Sequence, residues 1–124
     1  MCLVSDKCIS KKIAQKDIKV YKVLLPDDDG FLHGPVYTLK QTYTVGKEET
    51  SPLDNCYRVG SMWWSERGLY SYSKKRYAKH YLKDCNLPYT SKIYKCTIPK
   101  GSAYLFDGMV YVSNRLLINK QCII

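Results

Sequence analysis

The chain has 124 residues, a length that suits one domain of ordinary size, and 45% of these residues are hydrophobic. Lysine and arginine outnumber aspartate and glutamate by 20 to 11, which gives a net charge of +9. This composition excludes a disordered polar chain. It favours an anionic partner, namely nucleic acid, a nucleotide, a membrane surface or an acidic protein, with generic solubility as the alternative explanation of the charge.

The cysteines indicate a reducing compartment. The N-terminal segment MCLVSDKCISKK lacks the apolar stretch of a secretion signal, and no apolar run approaches the length of a membrane span. We therefore expect a cytoplasmic protein with reduced thiols and no membrane partner. No CxxC pair is present, and the spacing of His80 and Cys85 suits two ligands of one metal poorly, so we expect neither a metal nor a cofactor. The six cysteines are Cys2, Cys8, Cys56, Cys85, Cys96 and Cys122.

The first part of the chain predicts a basic arm followed by a strand. Residues 1 to 17 are rich in lysine and are predicted to lie as an arm over a single domain formed by residues 18 to 124. DIKVYKVLL, residues 17 to 25, has the composition of a strand. On this strand Lys22 interrupts an otherwise apolar face, where it either extends to the rim or points into a cleft.

The next segments alternate between loops and one further strand. Residues 26 to 35, PDDDGFLHGP, predict a loop, and residues 36 to 45, VYTLKQTYTV, alternate as a half-buried strand does. Residues 46 to 68 predict irregular structure. Within them Trp63 and Trp64 are adjacent, so an extended chain directs them to opposite sides and leaves one to cover a pocket, stack on a base or pack against the arm.

A helix is predicted over residues 73 to 85. The preceding residues, 68 to 73, predict a short strand, and Ser73 is predicted to cap the helix. One apolar stripe runs along this helix and predicts its packing on a sheet. The stripe contains Tyr77, Ala78, Tyr81, Leu82 and Cys85.

The C-terminal third predicts further strands. SKIYKCTI, residues 91 to 98, and RLLINK, residues 115 to 120, both read as strands. AYLF and MVYVS flank Asp107 and Gly108, a pair typical of a two-residue hairpin turn. The chain therefore predicts an α+β fold, a single small domain with a mixed, mostly antiparallel sheet of about six strands and one main helix.

The start of the predicted helix carries cations where a helix favours anions. Lys74, Lys75 and Arg76 occupy its first turn, although the unpaired N–H groups there already carry partial positive charge. One interpretation is an ordinary solvated surface. The other is a bound anion, held by these cations, by backbone N–H groups and by the hydroxyl of Ser71 or Ser73.

The order of these segments resembles the core of the ADP-ribosyltransferase fold. VYKVLL resembles the first strand of that family, LYSYSKKRYAKHYL its second motif and helix, YKCTIPKGSAYL its later strand ending in IPKG, and MVYVSNRLLI its final segment. The chain also resembles small hypothetical proteins of bacteriophages and gut bacteria. The family resemblance implies a nucleotide-binding cleft between VYKVLL, SYSKKR and the tryptophans.

One departure from the family concerns catalysis. Val112, Ser113 and Asn114 stand where the catalytic Glu of the family is expected, and no acid follows Asp107. The first-strand cation is Lys22 rather than Arg or His. We therefore expect the cleft without the transferase chemistry.

These observations predict a non-catalytic protein that binds an anionic nucleotide-type ligand. Its predicted role is that of a phage-encoded anti-defence protein that sequesters this ligand. The first alternative is a divergent ADP-ribosyltransferase or NAD-processing enzyme. The second is a module that binds nucleic acid or protein through its basic face, although no helix-turn-helix, zinc-finger or RNP motif is visible. The predicted ligand-binding residues are Lys22, Trp63, Trp64, Ser71, Ser73, Lys74, Lys75 and Arg76.

Overall fold

The structure is a computed structural model that describes residues 11–27, 31–33, 42–53, 57–59, 62–64, 68–84 and 91–122. Its elements, in chain order, are β1 (Lys12–Ile13), β2 (Ile18–Pro26), β3 (Leu32–His33), β4 (Thr42–Tyr43), β5 (Glu48–Thr50), β6 (Tyr57–Val59), β7 (Met62–Trp64), β8 (Leu69–Tyr72), α1 (Lys75–Asp84), β9 (Lys92–Ile98), β10 (Ala103–Phe106), β11 (Val110–Ser113) and β12 (Arg115–Gln121).

Ten of the strands form one sheet. The order along it is β1-β10-β11-β8-β2-β9-β12-β5, with β3 paired to β2 and β4 paired to β3, while β6 and β7 form a separate pair. Every pairing among the described strands is antiparallel. The α+β prediction is compatible with this arrangement, but the sheet is larger than the six strands predicted.

Strand β2 lies at the centre because its sequence is apolar on both faces. It shares seven residue pairs with β9 but only one pair, Tyr21 with Tyr72, with β8.

Strand β1, which precedes β2 in the chain, is also part of the sheet. β1 lies at one edge against β10, and Ala14 is buried where its backbone bonds to Gly101 and Ser102.

Helix α1 covers one face of the sheet. Its ten residues contain no Gly, Pro or β-branched residue, which favours the helix. Ala78 is fully buried, and Tyr81 and Leu82 pack with it against Val23 and Ile93. The predicted packing of the helix is thereby confirmed for these three residues, while Tyr77 is half-buried and contacts Arg76.

The opposite face of the sheet carries the larger core cluster. Because side chains alternate along a strand, the residues between those that face α1 point to this side. A fully buried Leu or Ile contributes about 1.5–3 kcal/mol to stability through the water it excludes. The cluster contains Val20, Leu24, Leu32, Tyr43, Leu69, Tyr94, Cys96, Ile98, Leu116 and Ile118.

Two predictions for the middle of the chain need correction, and one falls partly outside the described residues. Residues 46 to 68, predicted to be irregular, include β5, β6 and β7, and the predicted loop 26 to 35 includes β3. These strands have two or three residues each, too few for an alternating pattern to reveal them. Of the strand predicted at 36 to 45, Thr42–Tyr43 forms β4, while residues 36 to 41 lie outside the described part.

The hairpin between β10 and β11 also differs in detail from its prediction. Asp107 donates its backbone N–H to the carbonyl of Val110, so Gly108 and Met109 are the two central residues of the turn. Gly108 has a φ of 101°, which primed hairpin turns require at this position. The Asp107 carboxylate instead accepts hydrogen bonds from the N–H groups of Met109 and Val110, at 2.9 and 2.8 Å.

Candidate functional site

Lys22 lies within the larger core cluster, on the sheet face opposite α1. Alternation along β2 places it between Val20 and Leu24, both of which are buried there. The sequence prediction that Lys22 interrupts an apolar face is thus confirmed. The residue as a whole is half-buried, but its ammonium group is largely removed from water.

The ammonium group of Lys22 has two described neighbours. It donates a hydrogen bond to the backbone carbonyl of Tyr70, which lies beyond the short stretch where β2 and β8 pair. It also lies 5.2 Å from the centre of the Tyr43 ring, a cation–π distance. Within the described part of the chain, no carboxylate forms an ion pair with Lys22.

Burial changes the titration of the groups around Lys22. It lowers the pKa of Lys22 to about 8, and the Cys96 thiol nearby offsets part of this effect. Burial raises the pKa of Cys96 to about 12 and raises the pKa of Tyr43 well above its ordinary value. Near pH 7, Lys22 is therefore charged while Cys96 and Tyr43 are neutral, and no carboxylate among the described residues pairs with this charge.

Ser71 lies beside Lys22 on the same face. The pairing of Tyr21 with Tyr72, continued by one residue in the antiparallel register, places Ser71 opposite Lys22. Ser71 is 2% exposed, and its Oγ has no hydrogen-bond partner in the described structure. A buried hydroxyl without a partner loses about 1–3 kcal/mol of hydration, so a ligand that bonds to it recovers part of that loss.

Lys22 and Ser71 belong to a row of side chains that crosses five strands. Lys22 pairs with Tyr94 on its other side, Ser71 pairs with Tyr111, and Tyr111 pairs with Phe106. Neighbouring strands lie about 4.8 Å apart, so Lys22 and Tyr111 are about 10 Å apart across the sheet. The sequence did not predict this row, because it depends on the order of strands that are distant along the chain.

The start of α1 differs from its prediction. Lys74 accepts the hydrogen bond from the Tyr77 N–H at 3.1 Å, so Lys74, not Ser73, occupies the N-cap position. Ser73 continues the sheet by donating its N–H to Met109, and its Oγ has no hydrogen-bond partner among the described residues. Ser73 therefore does not cap the helix. Its strand position places its side chain on the Ser71 side of the sheet.

The predicted binding residues fall into separate groups. Lys22, Ser71 and Ser73 belong to the face opposite α1, whereas Lys74, Lys75 and Arg76 lie where β8 meets the helix. Lys74 and Arg76 are exposed. Trp63 and Trp64 are part of β7, but the positions of their side chains lie outside the described part of the structure.

Residues 112 to 114, where the catalytic Glu of the resembled family was expected, make structural hydrogen bonds instead. Ser113 is fully buried, and its hydroxyl donates to the carbonyl of Arg115 at 3.0 Å, with the carbonyl of Leu69 as a second, longer acceptor at 3.5 Å. The Asn114 side chain accepts a hydrogen bond from the N–H of Ala103 at 2.9 Å. These polar groups hold β10, β11 and β12 together and supply no carboxylate to the row.

A groove that the sequence did not predict lies at the start of β2. It has a volume of about 540 Å³ and is bounded by the turn before β2 and by the β10–β11 hairpin. The alternation of aromatic residues in AYLF and MVYVS was the signal that could have revealed its wall. Its lining residues are Gln15, Lys16, Asp17, Ile18, Lys19, Tyr104 and Tyr111.

Other kinds of site are not seen in the described residues. No group of three or more His, Cys, Asp or Glu side chains is placed to hold a metal ion there. Cys96 and Cys122, the cysteines whose state is described, are free thiols and buried. Across the described ranges, none of the helices has the length and apolar character needed to cross a membrane.

Comparisons with known proteins returned no match to this chain, whether against protein-family models, curated proteins or solved structures.

Proposed function

We propose that the protein binds an anionic nucleotide-type ligand without converting it, with a phosphate group held at Lys22 and Ser71. One observation carries this proposal. Lys22 is a buried cation with no carboxylate partner among the described residues, and Ser71 beside it has a buried hydroxyl with no hydrogen-bond partner.

The donors of this pair suit a phosphate. An ammonium group has three N–H donors, and Lys22 uses one of them on Tyr70. The remaining donors and the Ser71 hydroxyl are available to phosphate oxygens, whose negative charge also balances that of Lys22. A charge-assisted hydrogen bond of this kind contributes about 1.5–3 kcal/mol. The net charge of +9 adds long-range attraction for an anion.

The surroundings favour a nucleotide over a simple inorganic anion. Tyr111 is next to Ser71 in the row and is half-buried, so part of its ring is accessible. An aromatic surface about two strand spacings from a phosphate site supports stacking of a base. The ligand would therefore contact charge at Lys22 and aromatic surface at Tyr111, two strands further along the row.

Binding without catalysis fits the lack of a carboxylate in the 112 to 114 segment. A transferase of the resembled family needs that group to stabilise its oxocarbenium-like centre, so we expect the protein to leave NAD intact. Sequestration of a nucleotide signal in the cytoplasm, as a phage-encoded anti-defence protein would perform it, is the role we propose for such binding.

The proposal predicts a specific pH dependence of affinity. With a pKa of about 8 in the free protein, Lys22 is mostly charged at pH 7 and mostly neutral at pH 9. If only the charged form binds, the apparent affinity falls about tenfold from pH 7 to pH 9. Isothermal titration calorimetry against mononucleotides, dinucleotides, cyclic nucleotides and NAD measures this fall directly.

Two variants and one control test the site. Lys22→Met and Ser71→Ala should each weaken binding of the best ligand by tenfold or more at pH 7. Lys95→Met removes the same charge from an exposed position on the α1 side of β9 and should leave affinity within about twofold. Equal losses in all three variants, or an affinity that does not change with pH, would contradict a phosphate at Lys22.

A further inference from the structure

We propose that the groove between the turn before β2 and the β10–β11 hairpin binds single-stranded nucleic acid. This site does not use Lys22 or Ser71, although it shares Tyr111 with the nucleotide site proposed above. Two features of the groove and the surface next to it support the proposal, an aromatic stack with an exposed ring and a set of lysines beside that stack.

The aromatic stack is built on the β10–β11 hairpin. Phe106 and Tyr111 are direct cross-strand partners, and their rings are stacked, with centroids 4.2 Å apart and planes 16° apart. Tyr104 contacts the other side of the cluster, with its centroid 5.5 Å from that of Tyr111. Phe106 remains 37% exposed. An exposed ring at the end of an aromatic stack offers a surface on which a base can continue the stack.

The tyrosine hydroxyls add polar contacts. Burial raises the pKa of Tyr111, and the nearby Tyr104 raises it further, so the Tyr111 phenol stays protonated at neutral pH. The Tyr111 phenol can therefore donate a hydrogen bond to a base edge or to a phosphate oxygen. The stack combines apolar surface with donors, which suits a polymer whose bases and phosphates alternate.

Lysines lie beside the stack. Lys16 and Lys19 line the groove, and Lys12 is the cross-strand partner of Tyr104. All three are exposed. The one acid in the lining is Asp17, and its carboxylate accepts a hydrogen bond from the Lys100 N–H at 2.8 Å. Charge complementarity therefore favours a polyanion along this edge of the protein.

The aromatic stack and the lysines together favour single-stranded over double-stranded nucleic acid. Lysines contact the phosphates of a duplex as readily, but the bases of a duplex are stacked on one another and cannot reach Phe106 or Tyr111. In a single strand, each base has a free face for stacking, and binding of this kind tolerates different sequences.

The test compares two pairs of lysine variants that carry the same net charge. Binding of a fluorescein-labelled 12-nucleotide single strand is followed by fluorescence anisotropy from 25 to 200 mM salt. Lys16→Gln with Lys19→Gln should weaken binding and reduce the slope of log affinity against log salt by about 1.4. The control, Lys79→Gln with Lys83→Gln on an exposed part of α1, should keep the wild-type slope.

A second comparison addresses stacking. Phe106→Leu should weaken binding of the single strand about tenfold, whereas Phe106→Tyr should keep it. Both results should persist in a Lys22→Met background, because the groove does not use Lys22. The proposal is overturned if no single strand binds at 25 mM salt, if a duplex of equal length binds as tightly, or if the two lysine pairs lose affinity equally.

Discussion

Substitution of Lys22 by Met should stabilise the folded protein and remove a rise in stability between pH 7 and pH 9. The pKa of Lys22 is about 8 in the folded chain against an ordinary 10.5. This difference corresponds to about 3 kcal/mol by which burial of the charged form disfavours folding. The methionine variant lacks this penalty but leaves the Tyr70 carbonyl without its lysine donor, which costs about 1 kcal/mol. We therefore expect a net gain of about 2 kcal/mol at pH 7.

The pH dependence has a definite sign. Between pH 8 and 10.5 the unfolded chain holds a proton on Lys22 that the folded protein has released, so stability rises with pH. The rise from pH 7 to pH 9 is about 1.3 kcal/mol. Cys96 acts oppositely, because its pKa moves from 9.0 to about 12 on folding and stability falls once the unfolded thiol ionises. Burial also raises the pKa of Tyr43, which adds to this fall as the unfolded phenol ionises. Stability should therefore pass through a maximum between pH 9 and pH 10.

Urea unfolding with a reductant present, at constant ionic strength and at pH 7, 8, 9 and 10, measures these effects. The wild-type protein should show the maximum, and the Lys22→Met variant should show only the decline above pH 9. Lys95→Met is the matched control and should retain the maximum. A Lys22→Met variant that is less stable than wild type at pH 7, and keeps the same rise to pH 9, would refute the account of Lys22 as a buried, uncompensated charge.

Three further substitutions test other parts of the structure by urea unfolding. Gly68→Ala should destabilise the protein by about 2 kcal/mol or more, because Gly68 has a φ of 134° and an added Cβ would lie 2.4 Å from Val112 Cγ1; a neutral change would mean that β8 can shift. Asp107→Ala should cost about 1 kcal/mol through the two turn hydrogen bonds that it removes, with Asp107→Asn losing less. Ser71→Ala should leave stability unchanged or raise it by up to about 1 kcal/mol, since its hydroxyl has no hydrogen-bond partner among the described residues, and a clear loss would show that this hydroxyl is bonded.

The sequence predicted the elements whose pattern is local. β2, β9, β10, β11, β12 and α1 each carry enough residues for alternation or helical spacing to identify them, and the hairpin turn carries Gly108. The strands β5 to β7 were missed because pairing with another strand, not local propensity, makes these runs of three residues extended. Lys22 was recognisable as a charge on an apolar face, since that feature is also local.

The sites required the strand order. The sequence made Ser71 a candidate ligand-binding residue because it precedes the cations at the helix start. In the structure it is a candidate for a different reason, because it lies opposite Lys22. That neighbourhood arises because β2 lies between β8 and β9, an arrangement that no single segment encodes. Tyr104 and Tyr111 were missed in the same way, because the groove forms only when the turn before β2 lies against the hairpin.

The central position of β2 has a consequence for how the chain folds. Leu24 pairs with Lys92 and Ile18 with Ile98, so 68 to 80 residues separate partners at the middle of the sheet. Closing a loop of this length costs about 4 kcal/mol of chain entropy before the pairing contributes anything. We expect slow folding, in which the β10–β11 hairpin and α1 form early and β2 joins later.

During synthesis, β2 therefore leaves the ribosome long before β8 and β9, its neighbours at the middle of the sheet, exist. For that interval a strand with apolar residues on both sides is exposed, which is the condition under which nascent chains associate with one another. Lys22 has an ordinary pKa in the unfolded chain and is charged there. A cation in the middle of such a segment opposes its self-association, as gatekeeper residues do beside exposed strands. The same lysine that burdens the folded sheet would thus protect the chain while the sheet is incomplete.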